Sequence, residues 1–337
     1  MTAQIRHQFS RVAIALLFAS SLSGCIYKMT GNTMGGYAAE HLVPYMMASD
    51  DVNMACQTGV SLGSFLMSFE RVNASPDRAA LVSLQAAGMC AEAKAWEAEL
   101  RRLRAASDRR PSEAQDALTE EKREHQIAAH RFYDAYRRLA AFVGPAESNG
   151  CPKIDADDEV LYLLGLSAGV LAVLHDKGAD GTAGVPTDIP ATVERTALCV
   201  SDDRWWGVPS ALRAAIWIAA PPFKPKDADP WKTLEASAKK GAAMNVRLAS
   251  AFQIQGAVTA GKADLARQLI AAFAATVQAA PSDPHWKLLD AYGTNMITHE
   301  SDKIWTEETG HRTPFNALGT FQNSAAAPEK EENPFAE

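Results

Sequence analysis

Ala263-Asp-Leu-Ala-Arg-Gln-Leu-Ile-Ala-Ala-Phe-Ala-Ala-Thr-Val-Gln-Ala279 is the stretch on which the fold class turns. Leu265, Leu269, Phe273 and Val277 recur every four residues, which places them along one face of a helix. A second Ala-rich helix is expected over 242–260, with only Gly261-Lys262 between the two. Small side chains let two antiparallel helices approach closely, and Pro281-Ser-Asp-Pro284 stops the later one. The reading is an all-α protein.

The same period runs through most of the chain from Ser49 onwards. Leu62, Phe65, Leu66, Phe69 and Val72 make one apolar stripe. Ser75-Pro76-Asp77 then starts a helix expected to reach about Arg104, with Ser75 as cap and Asp77 complementing the dipole. Residues 107–124 are charged and read as a loop opening before a helix. That helix carries Ala128, Phe132, Ala135, Leu139 and Phe142 on one side and ends at Gly144-Pro145. Another helix is expected over 160–175. Residues 178–190 are the longest internal loop, and a final helix runs from about 283 to 308. The hairpins resemble tetratricopeptide-type units, but they keep no clean 34-residue period, so the array is irregular.

The N-terminus carries an address. Arg6 and Arg11 precede the apolar run Val12–Ala19, and Leu22-Ser23-Gly24-Cys25 follows. This is the basic, apolar, small-residue order of a secretory signal, and the run is shorter than the roughly 20 residues that span a bilayer. The last four residues resemble a bacterial lipobox, in which the Cys25 thiol is acylated with palmitate-type chains and becomes the first residue of the mature protein. Ile26, in the place where an aspartate favours retention at the inner membrane, points to the periplasmic side of the outer membrane. No later segment reads as long and apolar enough to span. Cleavage removes two arginines and no acid, leaving 31 basic against 40 acidic side chains. That balance excludes generic nucleic-acid binding. The expected division is a signal peptide over 1–24, a lipidated tether over 25–48, a helical domain over 49–312 and a disordered tail over 313–337.

Four cysteines remain beside Cys25. Pairing Cys56 with Cys90 and Cys151 with Cys199 would clip two neighbouring helical hairpins, as suits an oxidising compartment. Their spacing fits no zinc site, and no cofactor or metal is expected. Gly165-Leu-Ser167-Ala-Gly169 matches the G-x-S-x-G elbow of serine hydrolases if Val160–Leu164 is a strand, with Asp203 and His285 downstream as partners. The helical surroundings favour a close helix–helix contact instead. Asp176–Gly181 lacks the ligands of a calcium loop. Asp155, Asp157, Asp158 and Glu159 read as helix-dipole complementation. His125 and His130, five apart, share no helix face. Trp205-Trp206-Gly207-Val208-Pro209, with Trp217 nearby, is the most unusual cluster. It reads as core or as the aromatic lining of a ligand cavity, with Tyr133, Tyr136 and Tyr162 as further wall residues.

A lipobox ahead of an all-helical, irregularly tetratricopeptide-like body resembles the T-component lipoproteins of TRAP transporters, the TatT family. The residues that carry the resemblance are Asp50-Asp51, Phe65–Glu70 and Ser75-Pro76-Asp77, then His130–Leu139, then Asp203–Pro209. Ala219-Ala220-Pro221-Pro222 stands where such proteins often have a double glycine. The resemblance implies a scaffold without catalytic residues that self-associates and cooperates with a periplasmic solute-binding protein. Its ligand would be a small apolar or amphiphilic molecule. The rival expectations are an envelope protein-assembly scaffold and a serine hydrolase using Ser167.

Overall fold

The structure, a computed structural model, describes residues 25–143 and 150–321. Among them there is no β-strand, and helices carry most of the chain, so the fold class is all-α. The signal segment 1–24 and the tail beyond residue 321 lie outside the described residues. The chain divides into two compact units. One comprises residues up to Glu92 with His125–Ile189; the other comprises Ala93–Glu124 with Pro190 onwards. Two long helices, α3 (Asp77–Ser107) and α4 (Pro111–Arg137), contribute residues to both.

In the first unit the expected tether is a helix, α1, over 25–47. It contains a π-helical turn at Ala38–Leu42 and an α-helical last segment, Val43–Met47. The glycines that suggested an irregular segment are its contact points. A Cβ on Gly31 would stand 2.8 Å from the Cβ of Ala74, and one on Gly35 would stand 3.2 Å from the Cα of Pro76. Asp51 caps α2 (Val52–Met67) by accepting from the Met54 amide at 2.7 Å. The helix tightens into a 3₁₀ turn over Ser68–Val72, and Asn73, with φ of 56°, reverses the chain into α3. Leu66 is the fully buried member of the α2 stripe, while Phe65 is 44% exposed. Of the expected stripe, Ala128, Phe132 and Ala135 on α4 and Leu139 just beyond it are buried, while Phe142 is only partly so. Helix α4 leads into the short α5 (Leu139–Phe142). Helix α6 (Glu159–Gly178) is buried from Leu161 to Gly169. Contrary to the sequence reading, it is long and apolar enough to cross a membrane. Its burial gives that apolar character a packing role.

The second unit holds the N-terminal half of α4, and here the charged segment 107–124 is not a loop. Pro111 opens the helix after Arg109, whose φ is 58°. Arg101–Glu120 and Arg102–Glu121 ion pairs join the two arms of the α3–α4 hairpin. The charges that looked like loop composition are thus a paired helix surface. After α7 (Ile189–Thr196) come α8 (Val208–Ala219), α9 (Pro230–Ala243), α10 (Leu248–Thr259), α11 (Ala263–Ala279) and α12 (Lys287–Thr309). The helix expected over 242–260 starts six residues late, because Asn245 takes φ of 57° and Arg247 turns inward to a buried partner. On α11 the buried line is Ala266, Ile270, Phe273 and Ala274, one step round from the line of large side chains; Val277 is exposed. Helix α10 packs against α8, α9, α11 and α12, each one or two positions away along the chain.

Residues 313–321, which the sequence reading places in the tail, touch the helical body at three points, while Phe315 is 94% exposed. The Thr313 hydroxyl donates to Ser301 Oγ at 2.8 Å, the Trp305 indole donates to the Thr320 carbonyl at 2.9 Å, and Phe321 is buried.

Candidate functional site

Cys25 is exposed at the first described turn of α1 and carries the free thiol. The other four cysteines are oxidised. Cys56 on α2 bridges Cys90 on α3 with Cα atoms 5.3 Å apart, which is one of the two expected pairs. Cys151 and Cys199 are each disulfide-bonded as well.

The tryptophans expected as a ligand wall lie in the second unit. Trp205 and Trp206 meet Trp286 edge to face, at centroid distances of 5.9 and 5.1 Å, and 5.3 Å from each other. Both are buried, at 6% and 3% exposure. Trp206 adopts φ of 57° and Gly207 φ of 74°, a left-handed pair that turns the chain sharply into α8. A tryptophan is an uncommon occupant of that region, so this turn holds some backbone strain. Gly207 is obligatory, since any Cβ would stand 2.7 Å from the Cα and carbonyl oxygen of Ser237 on α9. Asp202 closes the turn by accepting from the Ser210 amide and pairing with Lys240 at 2.6 Å. Burial raises the Asp202 carboxyl, but the bonds from Lys240 and Ser210 outweigh it and hold its pKa below the ordinary value. Trp217 is bound differently: its indole N–H donates to Glu194 at 3.1 Å, and Arg213, paired with the same carboxylate, covers its ring at 4.9 Å. Tyr133 and Tyr136 belong to the first unit, where they stack at 6.5 Å. Tyr136 on α4 and Tyr162 on α6 both belong to the first unit.

Ser167 sits in the middle of α6, with no strand before it. It is 6% exposed, and its hydroxyl donates to the Leu163 carbonyl at 3.0 Å. The flanking glycines admit neighbours: a Cβ on Gly165 would meet Leu139 at 2.5 Å, and one on Gly169 would meet Tyr136 at 2.6 Å. Asp176 closes the 178–190 loop by accepting from the amides of Ala183 and Val185, both at 2.8 Å. Asp158 precedes α6 and takes a two-pronged bond from Arg78, at 2.8 and 2.6 Å.

Sequence separation hid the buried polar groups. His125 Nδ1 stands 2.8 Å from His175 Nδ1, and His175 Nε2 stands 3.1 Å from Glu92 Oε1. The three side chains thus form one hydrogen-bonded chain, His125–His175–Glu92. The Phe132 ring stacks on His175 at 5.3 Å, and Gly178 leaves room for His125. In the second unit Glu99 accepts from His299 at 2.9 Å, beside Lys303 and Arg102. Burial opposes its ionisation, but the His299 bond and the Lys303, His299 and Arg102 charges hold the Glu99 carboxyl down at about 2. Among the described residues no group of His, Cys, Asp and Glu converges on a metal position. A surface cleft of about 530 Å³ at the α3–α4 turn is lined by Ala106, Ala114 and Leu118 together with Arg102, Arg109 and Arg110. None of the expected wall residues lines it.

An all-α chain with two disulfides and one exposed free cysteine is the class of molecule these observations describe. No family model, curated protein or solved structure matches it.

Proposed function

We propose that the chain is a lipoprotein anchored through Cys25 to the periplasmic side of the outer membrane, a TatT-type helical scaffold associated with a TRAP transporter. In this role it binds or passes a small hydrophobic ligand, or docks a periplasmic solute-binding protein, and performs no chemistry. The observation that carries the reading is the conjunction at Cys25: a lipobox cysteine left as the exposed, free thiol while the other four are oxidised. The interleaved packing of α8 to α12 supports a tetratricopeptide-like stack, in which each helix meets its near neighbours in sequence. The same packing supports the second reading, an assembly scaffold for envelope proteins. Hydrolysis through Ser167 draws no support from a hydroxyl tied to its own helix backbone.

Cross-linking in intact cells, followed by purification and extraction, separates these readings. Recovery of a solute-binding protein or of an extractable apolar molecule is the expected result. A ligand-free chain that cross-links only to outer-membrane assembly proteins would replace the first reading with the second. A monodisperse chain with neither would overturn both.

A further inference from the structure

The exposed face of α1 has a composition foreign to a water-facing helix. Ile26, Tyr27, Met29, Met34 and Tyr37 are 56%, 63%, 63%, 42% and 66% exposed. At about 100° per residue they fall on one arc of roughly 160°, shared over residues 25–37 only by Thr30 and Thr33; past the π-helical turn His41 extends the arc beside Tyr37, with the exposed Glu40 at its margin. Both threonine hydroxyls are already satisfied, donating at 3.0 Å to the carbonyls of Ile26 and Met29, so the arc shows methyl groups and rings. Lys28 is the single charged residue of 25–37 and lies off the arc. The opposite side is occupied, with Gly31 and Gly35 against Ala74 and Pro76. Cys25 sits one turn before Met29, at the edge of the arc.

We propose that this face lies in a phospholipid leaflet, with α1 parallel to the membrane surface. The inference rests on the lipoprotein reading, since an acyl chain on Cys25 brings the first turns of α1 to headgroup level. The chemistry fits that depth. Tyrosine rings are at home where one end is apolar and the other wet. The anchor is then two devices, an acyl chain and an interfacial helix. The helix fixes which side of the first unit faces the membrane.

The test uses the full chain, purified from membranes and reconstituted in phosphatidylethanolamine/phosphatidylglycerol vesicles doped with a phospholipid bearing a diazirine on its acyl chain. After illumination, adducts and Cys25 acylation are read by mass spectrometry. Adducts on Tyr27, Met29, Met34 and Tyr37 are expected, those on Tyr27 and Met29 falling at least fivefold in Met34→Glu/Tyr37→Glu, with Cys25 acylation and helix content unchanged. Acylated Cys25 without adducts at Met34 and Tyr37, or with cross-links between two copies of α1 in their place, overturns the inference and leaves the anchor standing. Adducts on a chain with unmodified Cys25 support the interfacial helix while the anchor reading falls. Neither adducts nor acylation overturns both.

Discussion

At the scale of residues, the groups that matter most are charges taken out of water and paired. Glu99 shows the consequence for pH. Its folded pKa is about 2, below the unfolded value, so the stability it contributes is present above pH 4.5 and drains away as pH falls towards 2. A shift of that size corresponds to about 3 kcal/mol. Glu99→Gln is expected to lower stability at pH 7 by about 2–3 kcal/mol and to flatten the loss between pH 5 and pH 2. Urea melts across that range check it. The Arg247–Asp290 pair is still more enclosed, at 1% and 4% side-chain exposure and 2.6 Å apart. Arg247 also donates to the carbonyls of Thr276 and Ala280, tying the end of α11 to the starts of α10 and α12. Asp290→Ala leaves a guanidinium buried without its counter-charge and is expected to cost about 3–5 kcal/mol. The Arg247→Met/Asp290→Leu double variant should recover most of that loss in the same melts. Neither pair was legible beforehand: Glu99 and His299 stand 200 residues apart, and nothing local marks either as a partner.

At the scale of elements, periodicity served well where one face is buried and the other wet, as on α4. It misled where composition has two explanations. Glycines at 31 and 35 read as a flexible tether and act as close-packing points. Charges over 107–124 read as a loop and act as rungs between helices. Alanines in α11 hid the buried line, because small side chains carry little apolar signal yet mark the closest contact. The α2–α3 pairing has its own test. The Cys56–Cys90 bridge closes 34 residues of chain, so the Cys56→Ser/Cys90→Ser variant is expected to lose about 3–4 kcal/mol. Unchanged thermal stability would show that the helices hold without it. At the α8 start, Gly207→Ala meets both a forbidden φ and the Ser237 backbone, and it should lower stability by about 2 kcal/mol or more, read by calorimetry.

At the scale of the whole molecule, the account joins an address to a scaffold. The fold class was open to reading from the chain alone; the division into two units was not, because α3 and α4 belong to both and no linker composition marks the border. What unites the functional reading is Cys25, and the most direct measurement is the intact mass of the mature chain isolated from its own membranes, beside a Cys25→Ser variant. The account predicts a chain lacking residues 1–24 and carrying a lipid adduct on its N-terminal cysteine, absent from the variant. A chain of unmodified mass that still begins at Met1, identical in the two apart from the substitution, would contradict it.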